Sequence, residues 1–291
     1  MLGTYLAGID FTIVFCNFLI FSANTIMYSK KQLALKYIHY FLNAKNGKGH
    51  GIHSPFVFDF TQQVLNKKKL PYSSNEIEDI RQYLKNNQQL IQIEDFGAGS
   101  RVIKQNTRKV ATVAKSSLKP LKYSALIAKM VNHYKSNIIV ELGTSLGITT
   151  AYMAKAASNA NVYTIEGAPA IAELAKENFE KLGLKNVHPL VGNFDVVLPN
   201  LLQQLDTVDF AFIDGNHRFE PTLNYFHLLL PKINEQTIFV FDDIHWSKEM
   251  EQAWQYIQNH DAVCATIDLF FVGVVVFKKA FKQKQHFIIR Y

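Results

Sequence analysis

Ile138-Ile139-Val140-Glu141-Leu142-Gly143-Thr144-Ser145-Leu146-Gly147-Ile148-Thr149-Thr150 is the stretch whose reading decides the fold. Three β-branched apolar residues run into an acid, then a turn bounded by two glycines, then a segment able to start a helix. A buried strand, a tight turn and a helix N-terminus in that order bring backbone close to a ligand in an open α/β sheet. Gly143 can take backbone angles closed to other residues, and Gly147 lets the helix approach strand and ligand. The spacing is Glu-x-Gly-x-x-x-Gly, so the dinucleotide fingerprint Gly-x-Gly-x-x-Gly fails at its second glycine. Glu141 stands near the strand's end, where a carboxylate can pair with an ammonium group.

Downstream, strands and helices alternate, the pattern of a parallel sheet covered on both faces. Val162–Ile165 closes on Glu166, Val187–Val191 leads to Gly192-Asn193-Phe194-Asp195, and Val208–Ile213 leads to Asp214-Gly215-Asn216-His217. Thr237–Phe241 ends in Asp242-Asp243, and Val263–Leu269 with Phe271–Phe277 form the expected final hairpin. The basic run Lys278–Lys284 is expected on the surface. Ligands of such sheets bind outside the carboxyl ends of the strands, where this ordered series of acids falls. Glu166 follows Gly143 by 23 residues, close to the spacing of a carboxylate that accepts ribose hydroxyls. Three carboxylates, Asp214, Asp242 and Asp243, converging from neighbouring strand ends would repel unless a cation or proton intervenes. Oxygen ligands of that kind suit Mg²⁺ or Ca²⁺. His217 and His245 each follow a strand end, and a histidine can take a proton from a hydroxyl at neutral pH. His217 is the preferred base, three residues from Asp214.

The turn Glu141–Gly147 resembles motif I of the class I S-adenosyl-L-methionine (SAM)-dependent methyltransferases, most like the small-molecule O-methyltransferases. The resemblance covers roughly Tyr123 to Phe277. It implies a Rossmann-like α/β fold: a seven-stranded sheet with helices on both faces, preceded here by a mainly helical N-terminal extension. It implies SAM as cofactor, held at Glu141, Gly143, Thr144, Ser145 and Gly147, with Glu166 on the ribose. Asn193 and Phe194 would lie at the adenine and Asp214 at the reacting end. In the catechol type and the macrolide-sugar and aminocoumarin-sugar types, acids at the last of these strand ends hold Mg²⁺. By that likeness Asp214, Asp242 and Asp243 are the metal candidates, and Asp214 and His217 the catalytic ones. Asp243 departs from the asparagine of the catechol type and is more like the sugar-type enzymes. The motif Asn-Pro-Pro-Tyr of several amino-group methyltransferases is absent, which favours oxygen as the acceptor. The reading is O-methylation of a small hydroxylated or acidic molecule, with RNA methylation and a non-catalytic SAM-binding adaptor as alternatives.

The chain has 291 residues, 48% hydrophobic and 19% charged, which suits a large core and excludes a disordered chain. Cys16 and Cys264 match no metal spacing and give no disulfide framework, in keeping with a cytoplasmic protein. Residues 1–135 hold 19 Lys and Arg against 7 Asp and Glu, whereas residues 136–291 hold 12 against 17. Such asymmetry suits an anionic substrate, a membrane surface or RNA, or is simply a solvated basic face. The division expected is 1–26 as an apolar segment, 27–120 as a mainly helical extension or lid, and 121–291 as the methyltransferase domain. Residues 8–26 are long enough to cross a bilayer but carry Asp10 and two asparagines. They read as sequence upstream of a true start at Met27, as a membrane anchor or as a packed helix. Leu35, Ile38, Phe41 and Leu42 recur at helical spacing. His50 and His53 sit in a glycine-rich loop that could touch a substrate, and the loop after Ile93 reads as a lid or substrate-contact loop, or as an ordinary loop. No feature sets the oligomeric state.

Overall fold

Continuous runs of β-branched and aromatic residues form the strands, and helices cover both faces of the sheet they build. The computed structural model describes residues 27–49, 53–93, 107–278, 281 and 283–291. The apolar segment 1–26, His50 and residues 94–106, where the loop read as a lid falls, lie outside them.

The extension contains α1 (Lys30–Asn43), α2 (Pro55–Phe60) continued by a π-helical turn (Thr61–Leu65), and α3 (Asn75–Asn86). A short antiparallel pair, β1 (Leu90–Gln92) and β2 (Thr107–Lys109), leads into α4 (Val110–Ser117) and α5 (Leu121–His133). Local chemistry sets these boundaries. Ser29 and Gln32 form a capping box on α1, and Ser54 caps α2 with Pro55 at its first position.

Then follow β3 (Ile138–Leu142), α6 (Ile148–Ala156), β4 (Asn161–Glu166), α7 (Pro169–Lys181), β5 (Val187–Val191) and α8 (Phe194–Gln203). The chain continues through β6 (Phe210–Ile213), α9 (Phe219–Leu229), β7 (Ile238–Asp242), α10 (Lys248–Asn259), β8 (Ala265–Asp268), β9 (Val272–Val276) and β10 (Gln285–Ile288). The sheet order is β10-β8-β9-β7-β6-β3-β4-β5. β9 is antiparallel to β7 and to β8, which confirms the terminal hairpin. The seven expected strands are present, and β10 adds an eighth, parallel to β8 at the sheet edge.

Side chains alternate across the sheet with the strand period of two. Ile139, Phe210, Phe212, Ile238 and Val240 pack with α5 and with Val57, Phe60 and Val64 of the extension. Val140, Leu142, Ala211, Ile213 and Phe241 pack under α8, α9 and α10. A third cluster joins Ile77, Leu84, Ile91 and Val113 of the extension to Ile148, Tyr152 and Ile171. The extension therefore shares its cores with the sheet. On α1 only Tyr40 is buried, while Leu35, Ile38 and Leu42 are more than half exposed, so the apolar face of this helix is largely uncovered among the described residues.

From β3 the chain runs outward through β4 and β5, then crosses back to β6 on the other side of β3. The strand order reverses between β3 and β6, and the crevice at their carboxyl ends is where such sheets take ligands. Asp209 fixes the opposite end of this junction. Its Oδ2 accepts from the Asn137 and Ile138 amides at 2.9 and 3.0 Å, and its Oδ1 from Asn234 Nδ2 at 3.1 Å. Asp209→Ala should lower unfolding free energy by about 1–3 kcal/mol in urea titration, the cost of orphaning such donors. An unchanged midpoint would refute that role.

Candidate functional site

The turn after β3 sits in the crevice because its backbone is locked to both neighbouring strands. The Gly143 and Thr144 amides donate to Ile165 O at 2.9 and 3.3 Å, and the Asp214 amide donates to Leu142 O at 2.8 Å. Gly143 has φ +100°, and a Cβ there would lie 2.2 Å from the Asp214 carbonyl oxygen. Gly147 has φ +79°, and a Cβ would meet the Phe179 ring at 2.5 Å. Both glycines are required by conformation and by space. Between them Ser145 also takes a positive φ of 48°.

Two glutamates flank this turn. Glu166, at the end of β4, accepts from the Ser145 amide at 2.8 Å and the Ala168 amide at 3.0 Å, which holds its carboxylate against the turn. Glu141 is fully buried. Its Oε2 accepts from Thr150 and Thr164 hydroxyls, while its Oε1 accepts no hydrogen bond among the described residues. Burial pushes this carboxyl up to about 7, against the two hydroxyls and Lys119, which favour ionisation. A buried acceptor without a donor is uncommon and calls for a partner. Thr144 is buried, its hydroxyl paired with that of Thr164.

Asn193 caps α8 by accepting from the Asp195 amide at 2.8 Å. Phe194 packs edge-on to Tyr225 and lies against Gly215, where a Cβ would meet its ring at 2.5 Å. That contact seats Phe194 beside the strand end that carries Asp214.

Asp214 follows β6 and Asp242 ends β7, side by side because these strands are parallel neighbours. Lys119 joins them. Its ammonium is 3.1 Å from Asp214 Oδ2, in direct contact with Asp242 Oδ2, and 5.5 Å from the Phe212 ring centroid. Burial disfavours the ammonium, but Asp214, Asp242 and Asp243 outweigh it and hold the lysine above its ordinary range. The Asp214 carboxyl is pushed up by burial and by Asp242, with Lys119 pulling the other way. His217 Nε2 lies 3.7 Å from Asp214 Oδ1. Burial, aided by Lys119, lowers the His217 pKa against the pull of Asp242, which favours the neutral imidazole. Asp214, His217 and Asp242 offer ligand atoms within 4.8 Å of one another. Asp243 is not one of that set. It turns away from the β7 direction with φ 53°, its amide donating to Phe271 O at 2.6 Å.

His245 goes elsewhere. It lies 3.0 Å from Glu251 and 2.8 Å from Asp268, and these acids raise it to about 9 in spite of burial, so it stays protonated at neutral pH. It borders a cavity of about 440 Å³ that also meets Lys36, Tyr40, Asp268 and Phe270. Lys119 escaped the sequence reading altogether. One lysine in a basic extension, far along the chain from both aspartates, carries no local signal beyond the Lys119-Pro120 pair before a helix.

This strand order, with a reversed β9 and a glycine turn at the switch point, is the fold of the class I methyltransferases. Residues 140–244 match the family model described as a methyltransferase domain. The chain resembles, by fold, an S-adenosylhomocysteine-bound O-methyltransferase from Bacillus cereus (TM-score 0.54, 16% identity, covering 74% of this chain and 97% of that one). It likewise resembles the S-adenosylhomocysteine-bound methyltransferase PaMTH1 of Podospora anserina (TM-score 0.56, 10% identity, covering 88% and 100%). In sequence it is 36% identical over 63 residues to a protein-L-isoaspartate O-methyltransferase of Methanospirillum hungatei, covering 22% of this chain and 28% of that protein. The match therefore spans about a quarter of that curated relative. No helix among the described residues is long and apolar enough to cross a membrane.

Proposed function

We propose that this protein is a SAM-dependent methyltransferase acting on a hydroxyl oxygen of a small molecule. The observation that carries this reading is the convergence, at one switch point, of the Gly143 turn, Glu166, the half-satisfied Glu141, and the Asp214–His217 pair. These residues suit SAM. Glu166 stands at the end of β4 with its carboxylate held against the turn, the position of a ribose acceptor, and among the described residues Glu141 Oε1 lacks the donor that an amino-acid ammonium would bring. Asn193 and Phe194 border the adenine end in this reading.

SAM supplies a methyl carbon on a sulfonium, which leaves as a neutral thioether when an oxygen lone pair takes the methyl. The chain's part is to align the acceptor and remove its proton. His217, half-buried and held neutral by desolvation, accepts that proton, and the Asp242 carboxylate favours the imidazolium formed.

Calorimetry with SAM and S-adenosylhomocysteine tests the reading, followed by a screen of hydroxylated and acidic metabolites with labelled SAM. Glu166→Ala should weaken cofactor binding by about 1.5–3 kcal/mol, the range for hydrogen bonds to a charged group. No binding to folded wild-type protein would overturn the proposal.

A further inference from the structure

Lys119 reaches the site from the loop between α4 and α5, and that loop is held firmly. Its carbonyl accepts from Arg81 Nη1, and Arg81 is buried on α3 with its Nε 3.0 Å from both Glu78 oxygens. Pro120 follows and restricts the Lys119 backbone to extended angles. Ser117, two residues earlier, meets Ser145 of the glycine turn at 2.7 Å. The lysine side chain is only 10% exposed. This is a built contact between the extension and two strand ends.

We propose that the Lys119 ammonium is the resident cation of this site, standing where the two aspartates would otherwise require a divalent metal, and that it faces the methyl acceptor in the metal's stead. The part concerning the acceptor rests on the methyltransferase reading; the part concerning the cation does not. An ammonium has three donors, and Asp214 and Asp242 take two, which leaves one for an acceptor oxygen. A metal ion entering among Asp214, His217 and Asp242 would lie within a few ångströms of a fixed positive charge. The donor set also suits Mg²⁺ poorly, with two carboxylates already engaged and a histidine in place of a further oxygen. The residues present do not fit a resident Mg²⁺.

The test uses the full chain and Mn²⁺ as a paramagnetic probe, with S-adenosylhomocysteine titrated into the same samples. Wild type should bind no Mn²⁺ in the millimolar range at these residues, and chelator should leave cofactor binding unchanged. Lys119→Ala leaves the buried Asp242 and the largely buried Asp214 without a counter-charge. It should bind Mn²⁺ roughly tenfold or more tightly than wild type, since removing the lysine removes the repulsion. Millimolar Mg²⁺ should raise its melting temperature but not that of wild type. Lys119→Ala/Asp242→Asn should lose the gained site. Should Lys119→Ala fail to fold, Lys119→Met keeps the packed stem and carries the same expectation. Wild-type Mn²⁺ binding that Asp242→Asn abolishes would overturn the proposal, as would a lysine variant that gains no site. Failure of cofactor binding alone would sink the methyltransferase reading and leave the cation result intact.

Discussion

Gly143→Ala is expected to destabilise the protein by about 3–5 kcal/mol and to abolish measurable binding of SAM. Two costs add. A residue with φ near +100° that gains a Cβ is strained by about 1–3 kcal/mol. The new methyl would also sit 2.2 Å from the Asp214 carbonyl oxygen, a backbone atom that cannot swing aside, so the turn or β6 must move. Movement of that carbonyl carries Asp214 with it, and the glycine turn loses its amide bonds to Ile165. Urea titration and calorimetry on the purified variant check both effects. Gly183→Ala is the control: Gly183 also has positive φ, 63°, but a Cβ there meets nothing within 4 Å. It should cost only the conformational strain and leave cofactor binding intact. Equal effects at the two glycines would refute the role given to the close approach.

Stability is expected to fall by about 3 kcal/mol between pH 4.5 and pH 7 on account of Glu141 alone. In the folded chain this carboxyl titrates at about 7, raised by burial, against 4.5 for an ordinary glutamate. Below pH 4.5 it is protonated in both states and contributes no pH dependence. Between the two values the unfolded chain ionises while the native chain keeps its proton, so native stability declines as pH rises. Above about 7 the loss is complete and levels off. Glu141→Gln should flatten this part of the profile, as read from urea midpoints at pH 5, 6, 7 and 8. The slope is the readout, because a glutamine keeps acceptance from Thr150 and Thr164 but brings buried amide hydrogens of its own. Identical slopes in the two proteins would reject the assignment. The same linkage bears on function: if Oε1 meets a cofactor ammonium, binding at pH 6 should release a proton, and Glu141→Gln should bind more weakly without that release.

The central sheet could be read along the chain because its information is local. The parallel strands from Ile138 to Asp242 are mostly apolar runs that close on an acid or a glycine, and most helices between them show one apolar face. The turn Glu141–Gly147 announces its geometry through two glycines whose positive φ no other residue adopts cheaply. Glu166 was legible too, since strand, turn and helix lengths in a parallel sheet fix how far the next strand end lies from the turn. The strand β10 was not. Gln285-His286-Phe287-Ile288 is an edge strand with one buried residue, and its existence depends on pairing with β8.

At the site, the sequence by itself determined which residues stand at the carboxyl ends of the strands: Glu141, Glu166, Asp214, Asp242 and Asp243. It could not decide how their charges are balanced. Asp242 and Asp243 are neighbours in sequence, yet only Asp242 brings a ligand atom within 4.8 Å of both Asp214 and His217, while Asp243 acts on the cluster through its charge. His217 and His245 look alike on paper. Burial keeps the first neutral, and two carboxylates keep the second charged. The counter-ion for the aspartates came from Lys119, 95 positions before Asp214 and 123 before Asp242, brought in by a loop that Arg81 anchors. Strand ends are set by short-range patterning of apolar residues, whereas a buried charge is set by whatever side chain the packed fold delivers to it, and that partner is known only once the tertiary structure has formed.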